Sequence, residues 1–215
     1  MTKKYELVLD DTISFWGWKL FRIRALISFG SVEVGDLGGY IEKEENLSHD
    51  GNAWVSGNAE VWGNAKVSGN AKVSGNAEVS GNAKVSGNAK VSGDAEVWGN
   101  AWVSGNAKVS GNAKVSGDAE VWGNAEVWGD AEVSGDAEVW GNAKVSELGD
   151  IIVFKNHWSS GRHFTYTKSN KMWKVGCFYG TGQELIEKAY RDSEKSGNYY
   201  KAYVDFVENL EKLGD

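Results

Sequence analysis

The stretch from Gly51 to Ser146 begins GNAWVS-GNAEVW-GNAKVS and ends GDAEVW-GNAKVS. It repeats one six-residue unit, Gly-Asn/Asp-Ala-X-Val-Ser/Trp, sixteen times without insertion or deletion, and X is only Lys, Glu or Trp. A period this strict is typical of stacked repeat architectures, in which each unit packs on its neighbours. The repeat therefore predicts a solenoid.

Each unit has room for one short strand and one corner. Ala and Val lie two residues apart, so they face one side of a strand while X and Ser/Trp face the other. Gly-Asn or Gly-Asp then turns the chain, because Gly accepts positive φ and Asn and Asp tolerate it. Three units close a triangular coil, and coils stack at about 4.8 Å, which makes a shaft roughly 25 Å long. Ala and Val form its interior.

Every third unit lies on the same side of such a coil, which defines three faces. Face A takes every third unit from Gly51, face B every third from Gly57, and face C every third from Gly63. The X residues place Lys72, Lys90 and Lys108 on face A, Glu60, Glu78 and Glu96 on face B, and Lys66, Lys84, Trp102, Glu120 and Glu138 on face C. A basic face A against an acidic face B predicts a homo-oligomer, with a trimer as the expected closed ring.

The repeats resemble the hexapeptide-repeat superfamily, and this resemblance implies a left-handed parallel β-helix. A more specific resemblance lies in FRIRAL (residues 21–26) followed by GDLGGYIEKEENLSHDGNAWV (Gly35–Val55). This segment is similar to the opening of uncharacterised hexapeptide-repeat proteins encoded by phages and prophages. Sixteen units and two degenerate coil sides before them make about six coils. The resemblance implies a phage or prophage origin, and it carries over no catalytic residue.

The sequence before the repeats predicts an N-terminal β cap over residues 1–38. Strands are predicted at Lys4–Leu9 and at Lys19–Leu26, where apolar and charged residues alternate. Trp16 and Trp18 are expected to seal the first coil. A cap is needed because an open coil end exposes strand edges.

The β-helix itself is predicted to span residues 39–152, with Ile41 and Leu47 at Ala positions of two degenerate units. Residues 153–215 predict a C-terminal α+β element that caps the helix or mediates interaction. Its expected elements are strands at Ile151–Trp158, His163–Ser169 and Met172–Phe178, a helix from the capping box Thr181–Glu184 to about Lys195, a break at Ser196–Asn198, and a helix over Tyr199–Leu213.

Composition sets further bounds. The net charge of −7 argues against nucleic acid as a general partner. The charge is uneven: residues 51–116 carry six Lys, three Glu and one Asp (net +2), whereas 117–146 carry one Lys, four Glu and three Asp (net −6). No apolar run could span a bilayer and no signal-peptide core is present, so a cytoplasmic location and no membrane partner are predicted. Cys177 stands alone, which excludes an internal disulfide.

The sequence offers little catalytic chemistry. Acyltransferases of the hexapeptide superfamily use a His base and a loop that leaves the coil, and the repeats contain neither. The three His residues, His49, His157 and His163, lie outside the repeats, and a zinc site would need them to converge. We expect no enzyme activity, metal or cofactor, and acyl transfer is the disfavoured alternative.

The Trp residues of the repeats point outward by the alternation. Trp54 and Trp62 are expected to pack beneath the N-terminal cap. Trp98 and Trp102 flank one corner in mid-shaft, and they predict an exposed pair that contacts another chain. The acidic, aromatic end of the shaft adds six candidate interaction residues: Trp122, Trp140, Glu120, Glu138, Asp118 and Asp136. The alternative for these two tryptophans, and for Trp128, is packing beneath the C-terminal element.

These features predict a non-enzymatic scaffold that binds an unidentified protein partner or itself. An alternative is a phage accessory inhibitor of a host defence enzyme, anti-CRISPR-like or an acidic mimic of nucleic acid. If the chain is phage-encoded, its expected location is the cytoplasm of the bacterial host.

Overall fold

The computed structural model describes residues 2–213. The chain divides into two compact units, Met1–Leu148 and Gly149–Asp215. The first holds an antiparallel N-terminal sheet and a β-solenoid of about six turns, and the second holds an antiparallel sheet with two helices. No helix among the described residues is long and apolar enough to cross a bilayer.

The first unit begins with a hairpin of β1 (Tyr5–Phe15) and β2 (Trp18–Ala25), and β3 (Leu37–Ile41) pairs antiparallel with β2. A 3₁₀ turn follows at Glu44–Asn46. Each repeat unit then contributes one two-residue strand. These strands are β4 Trp54–Val55, β5 Glu60–Val61, β6 Lys66–Val67, β7 Lys72–Val73, β8 Glu78–Val79, β9 Lys84–Val85, β10 Lys90–Val91, β11 Glu96–Val97, β12 Trp102–Val103, β13 Lys108–Val109, β14 Lys114–Val115, β15 Glu120–Val121, β16 Glu126–Val127, β17 Glu132–Val133, β18 Glu138–Val139 and β19 Lys144–Val145.

Parallel pairing of every third strand confirms the three faces. Face A is a six-stranded sheet from β4 to β19, and face C is a five-stranded sheet from β6 to β18. Face B continues the N-terminal sheet through β3 and β5 as far as β17. Val91 pairs with Val109 one coil later, and both are 0% exposed. The alternation therefore places Ala and Val inside, as predicted.

At each corner Gly and the following Asn or Asp have different structural roles. Every repeat Gly has a positive φ of 64–74°, whereas the Asn and Asp positions that follow do not. The Asn side chains instead link successive coils: Asn82 Nδ2 donates to Asn100 Oδ1 at 2.9 Å, and Asn100 Nδ2 donates to Asp118 Oδ1 at 2.8 Å. An Asp thus serves as the acceptor of a side-chain ladder, a role that the repeat pattern alone did not indicate.

The start of the solenoid differs from the predicted register. Ile41 pairs with Val61 and Leu47 with Val67, which places both in Val positions and not in Ala positions. These partners lie twenty residues apart, whereas Val55 and its partner Val73 lie eighteen apart. The segment between Leu47 and Val55 holds two extra residues, and these shift the earlier units.

The prediction that Trp16 and Trp18 seal the first coil is wrong. Trp16 (φ 48°) and Gly17 (φ 89°) form the tight turn of the β1–β2 hairpin, and Trp16 is 98% exposed. The seal consists of Tyr5, Leu20 and Ile23, each 0% exposed.

Trp54 and Trp62 pack against N-terminal aromatics, as predicted. Trp54 makes an edge contact with Phe29 at a centroid distance of 5.4 Å, and Trp62 does the same with Phe15 at 5.4 Å. Aromatic packing therefore joins the N-terminal segment to the sides of the first coil.

Side chains complete the hydrogen bonds at the first coil. Within the shaft the backbone N–H groups of the Asn, X and last positions donate to carbonyls in the next coil, as Lys90 N does to Ala107 O at 2.9 Å. Near the first coil, Lys4 Nζ donates to Ala53 O at 2.8 Å, and Asn46 Nδ2 donates to Ala65 O at 2.9 Å. Lys4 is 1% exposed, so a buried cation caps this edge.

Lys4 predicts a pH effect on stability. Burial lowers the pKa of its ammonium from 10.5 to about 8, and the nearby charge of Asp50 opposes this shift only in part. The unfolded chain thus holds this proton more tightly than the folded chain. The buried ammonium therefore destabilises the folded state fully below about pH 8, and this destabilisation decreases as pH rises toward 10.5. We expect the melting temperature of the parent to rise relative to that of Lys4→Met between about pH 7 and about pH 9.5. Parallel melting curves for the two proteins across this range would contradict the assignment.

The second unit begins within a 3₁₀ turn at Leu148–Asp150 and forms a four-stranded meander, one strand more than predicted. Gly176 turns the extra hairpin with a φ of 56°. The elements are β20 Ile151–Lys155, β21 His163–Thr167, β22 Met172–Val175, β23 Phe178–Gly180, α1 Gly182–Asp192 and α2 Glu194–Leu213.

The capping box at the start of α1 is confirmed, since Thr181 and Glu184 cap each other's backbone N–H groups. The predicted break at Ser196–Asn198 is wrong. The chain bends instead at Ser193, which is extended and whose Oγ accepts from Ser196 N at 3.1 Å. Gly197 lies inside α2 and is buried beside the ring of Tyr190. It is a helix-contact glycine and not a breaker.

Candidate interaction face

Face C, with its corner, holds every predicted site residue except Trp98. Two outward columns run along it at the spacing of the coils. The X column is Lys66, Lys84, Trp102, Glu120 and Glu138, in register through the strand pairs of the sheet. The second column, at the last position of each unit, is Ser68, Ser86, Ser104, Trp122 and Trp140.

Three tryptophans on face C form a continuous aromatic ladder, defined here as Trp102, Trp122 and Trp140. The rings of Trp102 and Trp122 meet edge to face at a centroid distance of 4.4 Å. Those of Trp122 and Trp140 stack at 5.5 Å with an interplanar angle of 14°. All three side chains are half-buried. The ladder spans three successive coils of a rigid sheet.

Trp102 reaches the second column from the first. Its Nε1 donates to Ser86 Oγ at 3.1 Å, and Ser104, beside it on the same strand side, is only 5% exposed. The indole therefore leans across the face, where it bridges the serines of the N-terminal half and the tryptophans of the C-terminal half.

The charges around the ladder change sign along the face. Lys84 lies 5.9 Å from the Trp102 ring centroid on the N-terminal side. On the C-terminal side Glu120 pairs in register with Glu138, and Asp118 and Asp136 are exposed at the corner beside them. Aromatic faces and carboxylates both attract cations. The chemistry of this half of face C is thus suited to a cationic group.

Trp98 and Trp102 lie on two neighbouring faces, as the alternation predicts. Trp98 lies on face B and lines a shallow cavity of about 250 Å³ with Glu78 and Glu96. Both tryptophans are half-buried, whereas the sequence predicts an exposed pair. The remaining candidates lie together on face C or at its corner. The Trp102–Trp122 contact was missed because it joins an X position to a last position one coil later.

No protein-family model matches this chain, and no curated protein matches it.

Faces A and B contain ion pairs within the chain. Lys108 Nζ lies 2.7 Å from Glu126 Oε1 on face A, and Lys114 Nζ lies 3.2 Å from Glu96 Oε1 on face B. Burial, with a smaller contribution from the neighbouring carboxylate of the column, raises the pKa of Glu60 and of Glu78. The trimer formed by face A of one copy and face B of the next stays a prediction. The ion pairs within the chain reduce the charge that either face could offer to a second copy.

The second unit contains a cleft of about 900 Å³ between its sheet and helices. Tyr166 donates a short hydrogen bond to Glu211, and Lys171 Nζ lies 3.5 Å from the same carboxylate. Burial raises the pKa of Tyr166, and the Glu211 contact adds to the shift. The positive and negative side chains that line the cleft are equal in number, so its charge does not favour a ligand of either sign. They are Lys168, Lys171, Lys212, Asp150, Glu208 and Glu211.

His49 and His157 contact neighbouring aromatic residues. His49 stacks on Tyr5 at a centroid distance of 4.4 Å, and its Nδ1 accepts from Lys4 N at 3.2 Å. His157 makes an edge contact with Trp158 at 5.4 Å. Across residues 2–213, no group of three or more His, Cys, Asp or Glu side chains is placed to hold a metal ion.

Proposed function

We propose that this chain is a non-enzymatic β-solenoid scaffold that binds a protein through face C. The observation that carries the proposal is the aromatic ladder on a rigid face, with acidic residues on one side. Aromatic residues dominate the energetics of many interfaces, and a preformed surface loses little entropy on binding. The expected partner presents basic side chains to Glu120, Glu138 and the neighbouring Asp corner.

The origin and location belong to the same proposal. The repeats and the Gly35–Val55 segment resemble phage and prophage hexapeptide-repeat proteins, which would make the coil left-handed and place the chain in the bacterial cytoplasm. A second candidate is an inhibitor of a host defence enzyme, favoured by the net charge of −6 over residues 117–146. Acyl transfer gains no support, because the repeats contain no His to act as a base.

Removal of the upper ladder tests the proposal. In Trp122→Ser/Trp140→Ser both positions take the residue that most units use, so the solenoid should still form. We expect at least a tenfold loss of partner capture from bacterial lysate, measured by quantitative pull-down against the parent.

The matched control is Trp128→Ser, the same change at the same repeat position but on face A. Its capture should equal that of the parent. Equal capture by the Trp122/Trp140 variant, with an unchanged circular dichroism spectrum, would show that face C is not the binding surface.

A further inference from the structure

Face C has a pattern that the other faces lack: its two halves are complementary to each other. Each repeat unit on face C has three outward positions, namely the Asn or Asp of the corner, X, and the last residue. From the N-terminal end the five rows are Asn64, Lys66, Ser68; Asn82, Lys84, Ser86; Asn100, Trp102, Ser104; Asp118, Glu120, Trp122; and Asp136, Glu138, Trp140. Two rows at equal distance from the central strand β12 have complementary residues: Lys and Glu at X, Asn and Asp at the corner, and Ser and Trp at the last position.

We propose that a second copy of this chain binds face C about a two-fold axis that runs along β12. The inference rests on the proposed role of face C as a binding surface, and it names the partner. Such an axis reverses the direction of the solenoid but keeps each column opposite the same column. A two-fold interface needs this reciprocity, in which residue i meets j and j meets i.

The charges complement each other under this axis. Lys84 of each copy lies opposite Glu120 of the other, and the next pair outward is Lys66 with Glu138. Carboxylates have several acceptor sites, so contacts made within the chain leave capacity for a lysine from a second copy. Asn82 and Asp118 meet at the corner as donor and acceptor.

The side-chain sizes complement each other as well. Trp122 of each copy meets Ser86 of the other, and Trp140 meets Ser68. The two copies of Trp102 meet at the axis, where aromatic pairs gain energy beyond their buried area. Indoles therefore fill the centre of the interface, where Trp102 lies beside Ser86, and Ser68 leaves room for Trp140 toward each end.

The same operation fails on the other two faces. On face A it brings Lys90 of one copy against Lys108 of the other, next to the axis. On face B it brings Glu96 against Glu96 at the axis itself. Like charges at an interface centre oppose association. The lysine-to-glutamate switch along the X column of face C is therefore not a general consequence of the repeat.

The size of the face predicts a weak dimer. Five strands at the sheet spacing give face C a height of roughly 25 Å, and the length of one side of the coil gives it a width of roughly 13 Å. Its area is the product of these two lengths. This is small beside the roughly 800 Å² per partner of a standard interface, so the dimer should need high protein concentration and low salt.

Charge reversal gives a specific test by sedimentation velocity at low salt. The parent should form a dimer that weakens as salt rises. Lys84→Glu sets glutamate against Glu120, and Glu120→Lys sets lysine against Lys84, so each variant alone should dimerise at least tenfold more weakly. A mixture of the two variants should form a heterodimer, and the double variant should regain the homodimer. Both substitutions use residues found at X elsewhere, and recovery in the mixture shows that each variant is folded.

Lys90→Glu is the control, because it makes the same charge change on face A and should leave the dimer intact. A monomer at every concentration, a trimer, or single variants that dimerise as the parent does would overturn the inference. The proposed function is tested separately: a monomeric parent whose partner capture still depends on Trp122 and Trp140 would retain protein binding by face C and lose only self-association.

Discussion

Val91→Asp is expected to destabilise the solenoid by about 4 kcal/mol, the size of effect that follows when an unpaired charge is buried. Val91 is 0% exposed and lies in register between Val73 and Val109. A carboxylate there would have apolar side chains above and below it. The chain could respond only by protonating the group or by opening the coil.

The matched control is Lys90→Asp, which places the same carboxylate on the neighbouring exposed position. Its effect should stay within about 0.5 kcal/mol, the usual range for surface substitutions. Urea denaturation followed by circular dichroism measures both. If Val91→Asp unfolds at the same urea concentration as Lys90→Asp, Val91 does not face the interior.

The repeat made the solenoid predictable because two simple constraints act in every unit. The Ala-X-Val alternation requires one inward face, and the six-residue period leaves room for one short strand and one corner. An error in one unit would conflict with its neighbours, so the eighteen-residue register of Val73, Val91 and Val109 follows from the repeat alone.

The regions outside the strict repeat were less predictable because several registers satisfy the same pattern. Ile41 and Leu47 fit an Ala position by counting backwards, but two extra residues before Val55 move them to Val positions. Trp16 and Trp18 flank Gly17 just before a predicted strand, and this position predicts that they seal the first coil. The needs of a tight hairpin turn decided the position of Trp16 instead, at the cost of full exposure.

The sequence selects the residues of the aromatic ladder as candidates, together with Trp98 on face B, but it does not give their contacts. Alternation shows that Trp98 and Trp102 point outward, and it cannot show which neighbour a large ring will contact. Trp102 turns to Ser86 and Trp122 on its own face, since those contacts satisfy its Nε1 and cover its ring. Side-chain direction across a face depends on the volume of neighbours in adjacent coils, and no single hexad contains that information.

A second large effect is expected at the corner glycines, where two costs can be separated. Gly99 has a φ of 74°, and a Cβ added there would lie 2.9 Å from both the backbone N and the backbone O of Gly117 in the next coil. Gly135 has a φ of 64° with open space around the same point. Gly135→Ala should therefore report backbone strain alone, about 1–2 kcal/mol.

Gly99→Ala should cost about 3 kcal/mol, because it adds a clash with backbone atoms that cannot turn aside. The coils would have to separate locally, which stretches the hydrogen bond from Asn100 N to Gly117 O, now 2.8 Å long. Urea denaturation of the two variants gives the difference directly. Equal destabilisation would mean that the repeat keeps glycine for its positive φ alone, whereas a larger loss at Gly99 means that close stacking of the coils also requires it.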